Sequence, residues 1–342
     1  MRLRLIRLAV AIAAMFALAA PVASAAPADF EGPLFGLSAG RSGGLLVADA
    51  GQGVVRLKGG DASLVAELPG VNDVAPRAGG GLWALTSNGL EDSWLYIVRR
   101  GVATRFANIG AFEAKHNPHR AFLETNPFDV ADLGGGRALV ADAAGNDVLR
   151  VTRRGKVRLV AVLPNQRVSS EHGKSLVGCP YPREGFEFMC DLPPMVPAEA
   201  VPTGLAIGPD GAFYVGELKG IPAPTDASRV WRIERNARDV RCRHSPLCSV
   251  ALDGFTSIID LNFGPDGRLN VAQIDDESWL ALELEQGVGG SVQACDLASE
   301  DCDTVVSGIP ILTAIAYHRN GSLWGTKNSL IPGAADVVQL AP

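Results

Sequence analysis

The chain has 342 residues, with 39 glycines, 22 prolines and a formal net charge of −6 at pH 7. An acidic surface repels phosphate backbones and gains nothing from anionic lipid, so nucleic acid is a poor candidate partner. After residue 25 no stretch reaches the roughly 18 apolar residues of a membrane span, so we expect no membrane span.

The first 25 residues have the pattern of an export signal. Arg2, Arg4 and Arg7 precede an apolar run over residues 8–20, and Ala23–Ala25 offers the small residues of a cleavage site. We expect cleavage near Ala25 and a mature protein, residues 26–342, that is secreted or otherwise extracytoplasmic.

A short apolar motif recurs along the mature chain, each time directly after a turn rich in Gly, Asp or Asn. Such turns supply the positive φ of tight hairpins, and another short apolar run precedes most of them. Each unit therefore reads as strand, tight turn and strand, followed by a more variable outer part. The six copies are Leu45–Asp49, Leu82–Thr86, Ala138–Asp142, Phe213–Glu217, Leu269–Gln273 and Leu323–Lys327.

The copies begin at residues 45, 82, 138, 213, 269 and 323. A spacing of about 50 residues with several short strands per unit is typical of propeller blades, whereas helical solenoids have shorter periods. The sequence predicts an all-β protein, a six-bladed β-propeller of four-stranded antiparallel blades, in one domain over residues 26–342. Residues from about 167 to 196 interrupt the repeat and are predicted to be an insert.

The sequence does not decide how the ring of blades closes. The strand predicted over residues 336–340 completes either the first or the last blade. If residues 29–34 supply the missing edge strand of the last blade, both termini close the ring and no edge is left free. We expect a monomer.

The mature chain has six cysteines in three local pairs. In an exported protein an even number indicates disulfides, and the nearest-neighbour pairing closes one outer loop each. The spacings do not match the paired cysteines of zinc sites. The predicted bonds are Cys179–Cys190, Cys242–Cys248 and Cys295–Cys302.

The best copy of the repeat, Gly204–Glu217, resembles the NHL-repeat and SMP-30/gluconolactonase-like six-bladed propellers. A closer resemblance, to the secreted ScyD/ScyE family, covers essentially the whole mature chain. It implies a propeller outside the cytoplasm and transfers no established activity. The residues that carry it are Pro127–Val130, Ala141–Asn146, Leu163–Pro164 and Val201–Gly204.

Candidate ligand residues stand just before or at the start of the predicted inner strands, which line the channel of a propeller. Asp73, Asp129 and Asp260 share one repeat position, so the ring would bring three carboxylates to one level. Oxygen ligands of this kind suit Ca²⁺ or Mg²⁺, and the three aspartates are the predicted metal ligands. The full set of channel-mouth candidates is Asn72, Asp73, Asn126, Asp129, Thr203 and Asp260.

A purely structural role for these residues stays open, because Asp and Asn at the start of a strand often bond nearby backbone N–H groups. Asp49 and Asp142 end their motifs before Gly-containing loops, and the same argument predicts that they cap those loops. Gly36–Gly40 matches the G-x-S-x-G nucleophile motif, but Ser38 falls inside a predicted inner strand with no helix after it.

Two classes of function follow. In the first, the protein is a binding or interaction module for a small molecule, a glycan or a protein, without catalysis. In the second, it is a metal-dependent lactonase- or lyase-like enzyme with a divalent ion in the channel. The lactonase-like families use a Glu, an Asn and an Asp as ligands. Here Asp73, Asn126 and Asp260 supply part of such a set, but the first blade has no matching Glu, which favours the binding module.

Overall fold

The computed structural model describes residues 30–342; the predicted export signal lies outside them. Six antiparallel sheets form the blades of a propeller, which confirms the predicted all-β fold. Among the described residues no helix is long and apolar enough to cross a membrane. Blade 1 contains Leu34–Ala39 (β1), Leu45–Asp49 (β2), Gly53–Lys58 (β3) and Asp61–Glu67 (β4). Blade 2 contains Val71–Pro76 (β5), Leu82–Thr86 (β6), Trp94–Arg99 (β7) and Val102–Asn108 (β8), with a turn of helix at Gly89–Asp92 (α1) between β6 and β7.

Blade 3 follows a longer helix, Ile109–His116 (α2), and its strands are Pro127–Gly134 (β9), Arg137–Asp142 (β10), Asp147–Val151 (β11) and Val157–Val162 (β12). The predicted insert folds as a separate hairpin with two short helices. Its elements are Gln166–Ser169 (β13), Glu171–Val177 (α3), Glu187–Cys190 (α4) and Met195–Ala198 (β14).

The last three blades complete the ring. Blade 4 contains Pro202–Ile207 (β15), Phe213–Glu217 (β16), Ser228–Ile233 (β17) and Cys248–Phe255 (β19); between the last two, Val240–Arg241 (β18) pairs in parallel with β12 of blade 3. Blade 5 contains Ile258–Phe263 (β20), Leu269–Gln273 (β21), Gly290–Cys295 (β22) and Cys302–Ile309 (β23), with Trp279–Glu283 (α5) in a loop. Blade 6 contains Ile315–Tyr317 (β24), Leu323–Lys327 (β25) and Asp336–Ala341 (β26).

Two blades depart from the predicted four strands. Blade 3 has a fifth strand, β18, and blade 6 has three strands in the described part of the chain. The hypothesis that residues 29–34 form the edge strand of blade 6 is wrong for residues 30–34, which make no strand pairing with β26. Instead the backbone N–H groups of Glu31 and Gly32 donate to the Asp49 carboxylate of blade 1, at 2.8 and 2.9 Å.

The recurring motif is the second strand of each blade. Every residue of β2, β16 and β21 is buried, because these strands are flanked within their sheets and covered on both faces. A strand buried on both faces needs a continuous apolar run rather than an alternating pattern. This explains why the motif is so regular. The three predicted disulfides are all present, at Cys179–Cys190, Cys242–Cys248 and Cys295–Cys302.

The first strands of the blades, β1, β5, β9, β15, β20 and β24, contact one another in order around the central channel. Gly36 shows how closely they approach. A Cβ at this position would lie 2.1 Å from Asp73 Oδ1 and 2.7 Å from the Asp73 Cα. The ring is therefore narrow where blades 1 and 2 meet.

We expect Gly36→Ala to lower the free energy of unfolding by about 1–3 kcal/mol, because the added methyl group overpacks this contact. Gly79→Ala is the matched control, since its Cβ would meet no atom within 4 Å. Urea titrations of both variants measure the effect. Equal stabilities would contradict the close approach of β1 and β5.

Candidate functional site

One mouth of the channel is closed by a ring of six side chains, one from each blade. Three of them donate a hydrogen bond to a backbone carbonyl of the next blade: Asn72 to Phe128 at 3.0 Å, Thr203 to Ile258 at 2.6 Å, and Thr313 to Leu34. All but Phe35 are buried. We call this end the closed mouth; its ring is Phe35, Asn72, Phe128, Thr203, Ile259 and Thr313.

The closed mouth also has an apolar side. The rings of Phe35 and Phe128 meet edge to face with their centroids 6.0 Å apart. Phe128 and Ile259 belong to the same apolar cluster as Leu176 and Met189 of the insert. Asn72 and Thr203, predicted as ligand residues, therefore lie at the channel but join neighbouring blades.

One step further into the channel are the three predicted carboxyl groups. Each accepts a hydrogen bond from the first strand of the following blade. Asp73 Oδ2 accepts from Val130 N–H at 2.8 Å, and Asp129 Oδ2 accepts from Leu205 N–H at 2.6 Å. Asp260 Oδ2 accepts from Ile315 N–H at 2.7 Å, and its Oδ1 accepts from its own neighbour Leu261.

The three carboxyl groups also interact with one another. Burial, as the largest cause, raises the pKa of Asp73 to about 7 and that of Asp260 to about 8. It also raises the pKa of Asp129, and the nearby charges of Asp73 and Asp260 raise it further. Asp73 and Asp129 are close enough for their side chains to interact directly. Adjacent carboxyl groups disfavour the ionised form of each other, which adds to the effect of burial on the pKa of Asp129.

These carboxyl groups border a cavity of about 240 Å³ inside the channel. A fourth aspartate, Asp132, also lines it, and no Lys, Arg or His of the described residues does. The first strands all run in the same direction, so their far ends meet at a second mouth. There Ser38, Pro76, Asp132 and Asn262 are partly exposed, and we call this end the open mouth.

The structure does not bring Asn126 to the channel. Its backbone N–H donates to Asp142 Oδ1 at 2.7 Å, and its side-chain oxygen accepts from the Ser87 hydroxyl at 2.6 Å. Asn126 precedes the first residue of β9, Pro127, which pairs with Asp142. Asn126 therefore belongs to the loop that Asp142 caps.

The capping roles of Asp49 and Asp142 are confirmed. Besides residues 31 and 32, Asp49 accepts from the Gly51 N–H at 2.9 Å. Asp142 accepts from the Gly145 N–H at 2.9 Å and from the Thr125 hydroxyl. Each carboxylate fixes the loop that follows its strand.

A second buried acidic pair lies outside the channel, at residues that no sequence motif marks. Glu113 of α2 and Asp147 of β11 are 1% and 0% exposed, and their carboxyl groups interact electrostatically. Burial, together with the nearby Asp142 charge, raises the pKa of Glu113 to about 8. The recurring apolar motif does not predict this pair, because Glu113 lies in a helix outside the repeat.

The donor atoms in the channel are all oxygens, the kind that Ca²⁺ and Mg²⁺ prefer. Their arrangement fits a metal less well. In residues 30–342 no group of three or more His, Cys, Asp or Glu side chains is arranged so that it could hold a metal ion. Both oxygens of Asp260 and one oxygen each of Asp73 and Asp129 already accept backbone N–H groups, which leaves few lone pairs for direct coordination.

Fold and site together define a six-bladed β-propeller with an acidic channel that is closed at one mouth. No family model matches the chain, and no curated protein matches it. The chain is similar to solved propeller structures. A gluconolactonase of Xanthomonas campestris aligns at 13% identity and a TM-score of 0.55, over 92% of this chain and 88% of that one.

Two further solved structures resemble this chain to a similar degree. The soluble aldose sugar dehydrogenase of Escherichia coli aligns at 10% identity and a TM-score of 0.54, over 92% of this chain and 98% of that one. Regucalcin of Agrobacterium tumefaciens, a calcium-binding protein, aligns at 11% identity and a TM-score of 0.52, over 88% and 82%. These likenesses support the SMP-30-like propeller fold; the narrower ScyD/ScyE assignment stays a prediction.

Proposed function

We propose that the protein is an extracytoplasmic binding protein whose channel takes a small cationic ligand through the open mouth. The observation that carries this proposal is the cavity itself, which is lined by four aspartates and by no basic side chain. A cation inside it favours the ionised forms of Asp73, Asp129 and Asp260, whose pKa values burial raises, and it is attracted to them in a region of reduced dielectric. Three disulfides support the extracytoplasmic location.

The ligand we expect is a small organic amine or a hydrated divalent ion. An ammonium group donates hydrogen bonds to carboxylate oxygens, and it does not need to be surrounded by ligands as a dehydrated metal ion does. Direct coordination of Ca²⁺ or Mg²⁺ by Asp73, Asp129 and Asp260 is the competing form of the same proposal. Direct coordination requires these carboxylates to exchange their hydrogen bonds with backbone N–H groups for bonds to the metal ion.

A thermal-shift screen at pH 7 tests the proposal, with methylamine, choline, putrescine, Ca²⁺ and Mg²⁺ compared with acetate and phosphate. We expect at least one cation to raise the melting temperature and no anion to do so. Binding of a ligand at about 100 times its Kd adds about 2.7 kcal/mol of stability, which is a shift of a few degrees.

The matched variants decide where the cation binds. Asp129→Asn/Asp260→Asn removes two channel carboxylates, whereas Asp61→Asn/Asp253→Asn removes two exposed ones. The shift is expected to disappear in the first variant and to persist in the second. If the shift in melting temperature persisted in both variants, the cation would bind outside the channel.

A second candidate function is catalysis, favoured by the pKa of Asp73 near 7 and that of Asp260 near 8. Carboxyl groups with such values suit general acid or base catalysis at neutral pH. The solved gluconolactonase motivates a lactone assay, in which wild type is compared with Asp129→Asn/Asp260→Asn. Equal rates in both would remove this candidate.

A further inference from the structure

Arginine side chains are concentrated on one part of this acidic protein. They come from the hairpins of blade 3 and from the segment that links β17 to β18. Apart from Arg150, which is half-buried, all of them are exposed. We call this set the arginine patch; its members are Arg137, Arg150, Arg153, Arg154, Lys156, Arg158, Arg235 and Arg238.

Strand β18 explains how distant segments form one surface. Because it adds to the outer edge of β12, it carries the residues before it from blade 4 to blade 3. The Arg150 guanidinium donates to the Arg235 carbonyl at 2.8 Å. At the hairpin turns, a Cβ on Gly136 would lie 3.7 Å from the Arg153 Cβ.

Like charges stand close together within the patch. Arg150 and Arg158 stand directly opposite each other on β11 and β12, a pairing of like charges that destabilises a sheet. Burial, and then the charges of Arg238, Arg137 and Arg235, lower the pKa of Arg150.

No carboxylate compensates these charges within the described chain. None of the eight basic residues forms an ion pair with a carboxylate of residues 30–342, although Asp239 is exposed in the same segment. By contrast, Arg232 close by pairs with both Asp210 and Glu234. The carboxylates of Asp210 and Glu234 therefore pair with Arg232 and with no member of the patch.

We propose that the arginine patch binds the carboxylate groups of an acidic polysaccharide. Seven of the eight basic residues are arginines, whose planar guanidinium groups bind carboxylates in a bidentate manner. A polymer with repeated charges also fits a surface on which cationic side chains are repeated. This binding is independent of the ligand in the channel.

Two other polyanions fit the surface less well. Single-stranded nucleic acid is bound through aromatic side chains on which bases stack, and the segments of the patch expose none. Peripheral membrane binding usually adds apolar side chains that enter the lipid, and none of the large exposed apolar residues belongs to these segments. The disulfides also indicate a compartment where polysaccharides are accessible.

Affinity electrophoresis and calorimetry with polygalacturonate, with neutral dextran as the uncharged control, test this proposal. We expect polygalacturonate to bind at 50 mM salt and to weaken as salt rises, because screening reduces attraction between exposed charges. Dextran should not bind. Duplex DNA and phosphatidylglycerol vesicles are the competing probes at the same ionic strength.

Arg235→Ala/Arg238→Ala is the patch variant, and Arg41→Ala/Arg319→Ala removes two exposed arginines from hairpin turns elsewhere. Since exposed ion pairs are individually weak, we expect the patch variant to lose about tenfold in affinity and the control to lose less than about twofold. The patch variant should melt no lower than wild type. Equal losses in both variants, or tighter binding of DNA or vesicles than of polygalacturonate, would overturn the proposal.

Discussion

Replacing Glu217 by alanine is expected to lower the free energy of unfolding by about 3–5 kcal/mol, the effect of breaking a buried ion pair. Glu217 and Lys219 are fully buried and pair with each other. Glu217 also accepts from the Trp231 indole at 2.7 Å and from Arg229 Nε at 3.1 Å. Without the carboxylate, an ammonium and an indole N–H remain buried without their acceptor.

Urea unfolding followed by tryptophan fluorescence measures this loss. The double variant Glu217→Gln/Lys219→Met removes both charges and should recover most of the stability. Asp92→Ala, which breaks an exposed pair with Arg105, is the control and should cost less than about 1 kcal/mol. A loss for Glu217→Ala no larger than that for Asp92→Ala would show that the buried network contributes little.

The channel carboxyl groups should make stability fall as pH rises. The pKa of Asp73 is raised from 3.8 to about 7, so the folded protein holds a proton that the unfolded chain has released in this range. A group with a raised pKa stabilises fully below its unfolded value, and this contribution is lost as pH rises towards the folded value. For Asp73 the difference between pH 4 and pH 8 amounts to about 4 kcal/mol.

Asp129→Asn/Asp260→Asn isolates this effect from other buried acids, such as the Glu113–Asp147 pair, that titrate in the same direction. The amide at position 129 still offers an oxygen to the Leu205 N–H but does not titrate. Measured from pH 5 to 9, the variant should gain stability relative to wild type as pH rises. Parallel curves would contradict the coupling of the channel carboxyl groups.

The sequence predicted those parts of the fold that depend on local pattern. The second strands are buried on both faces, so their apolar runs and preceding turns located six blades without any structural information. The disulfides were also predictable, because each joins cysteines close in sequence. The three aspartates were found because radial symmetry places equal repeat positions at equal depth in the channel.

What the sequence could not predict depends on contacts between distant residues. Strand β18 is two residues long and pairs with another blade, and no local pattern marks it. Asn126 was predicted to lie at the channel, but contacts with Ser87 and Asp142, both distant in sequence, hold it in a loop. The arginine patch was hidden by the net negative charge, which averages over surfaces that the fold keeps apart.

The closed mouth and the open mouth give the channel a direction. Asn72, Thr203 and Thr313 join neighbouring blades at one end, so a ligand reaches Asp129 and Asp260 from the other. The polar residues at the closed mouth therefore stabilise the ring, while the carboxyl groups below them remain beside a cavity. This division separates the structural role of the mouth residues from the binding role of the aspartates.

Cation binding in the channel is tested most directly by a calorimetric titration at pH 7 with the cation that stabilises the protein most in the screen. The titration should be carried out in two buffers that differ in ionisation enthalpy. We expect binding to release protons, because a cation beside Asp73 and Asp129 favours the ionised forms of these carboxyl groups, whose pKa values burial raises. The affinity should fall at least tenfold in Asp129→Asn/Asp260→Asn and stay unchanged in Asp61→Asn/Asp253→Asn. Equal affinities in the wild type and the channel variant, or binding of no cation at all, would contradict cation binding between the channel aspartates.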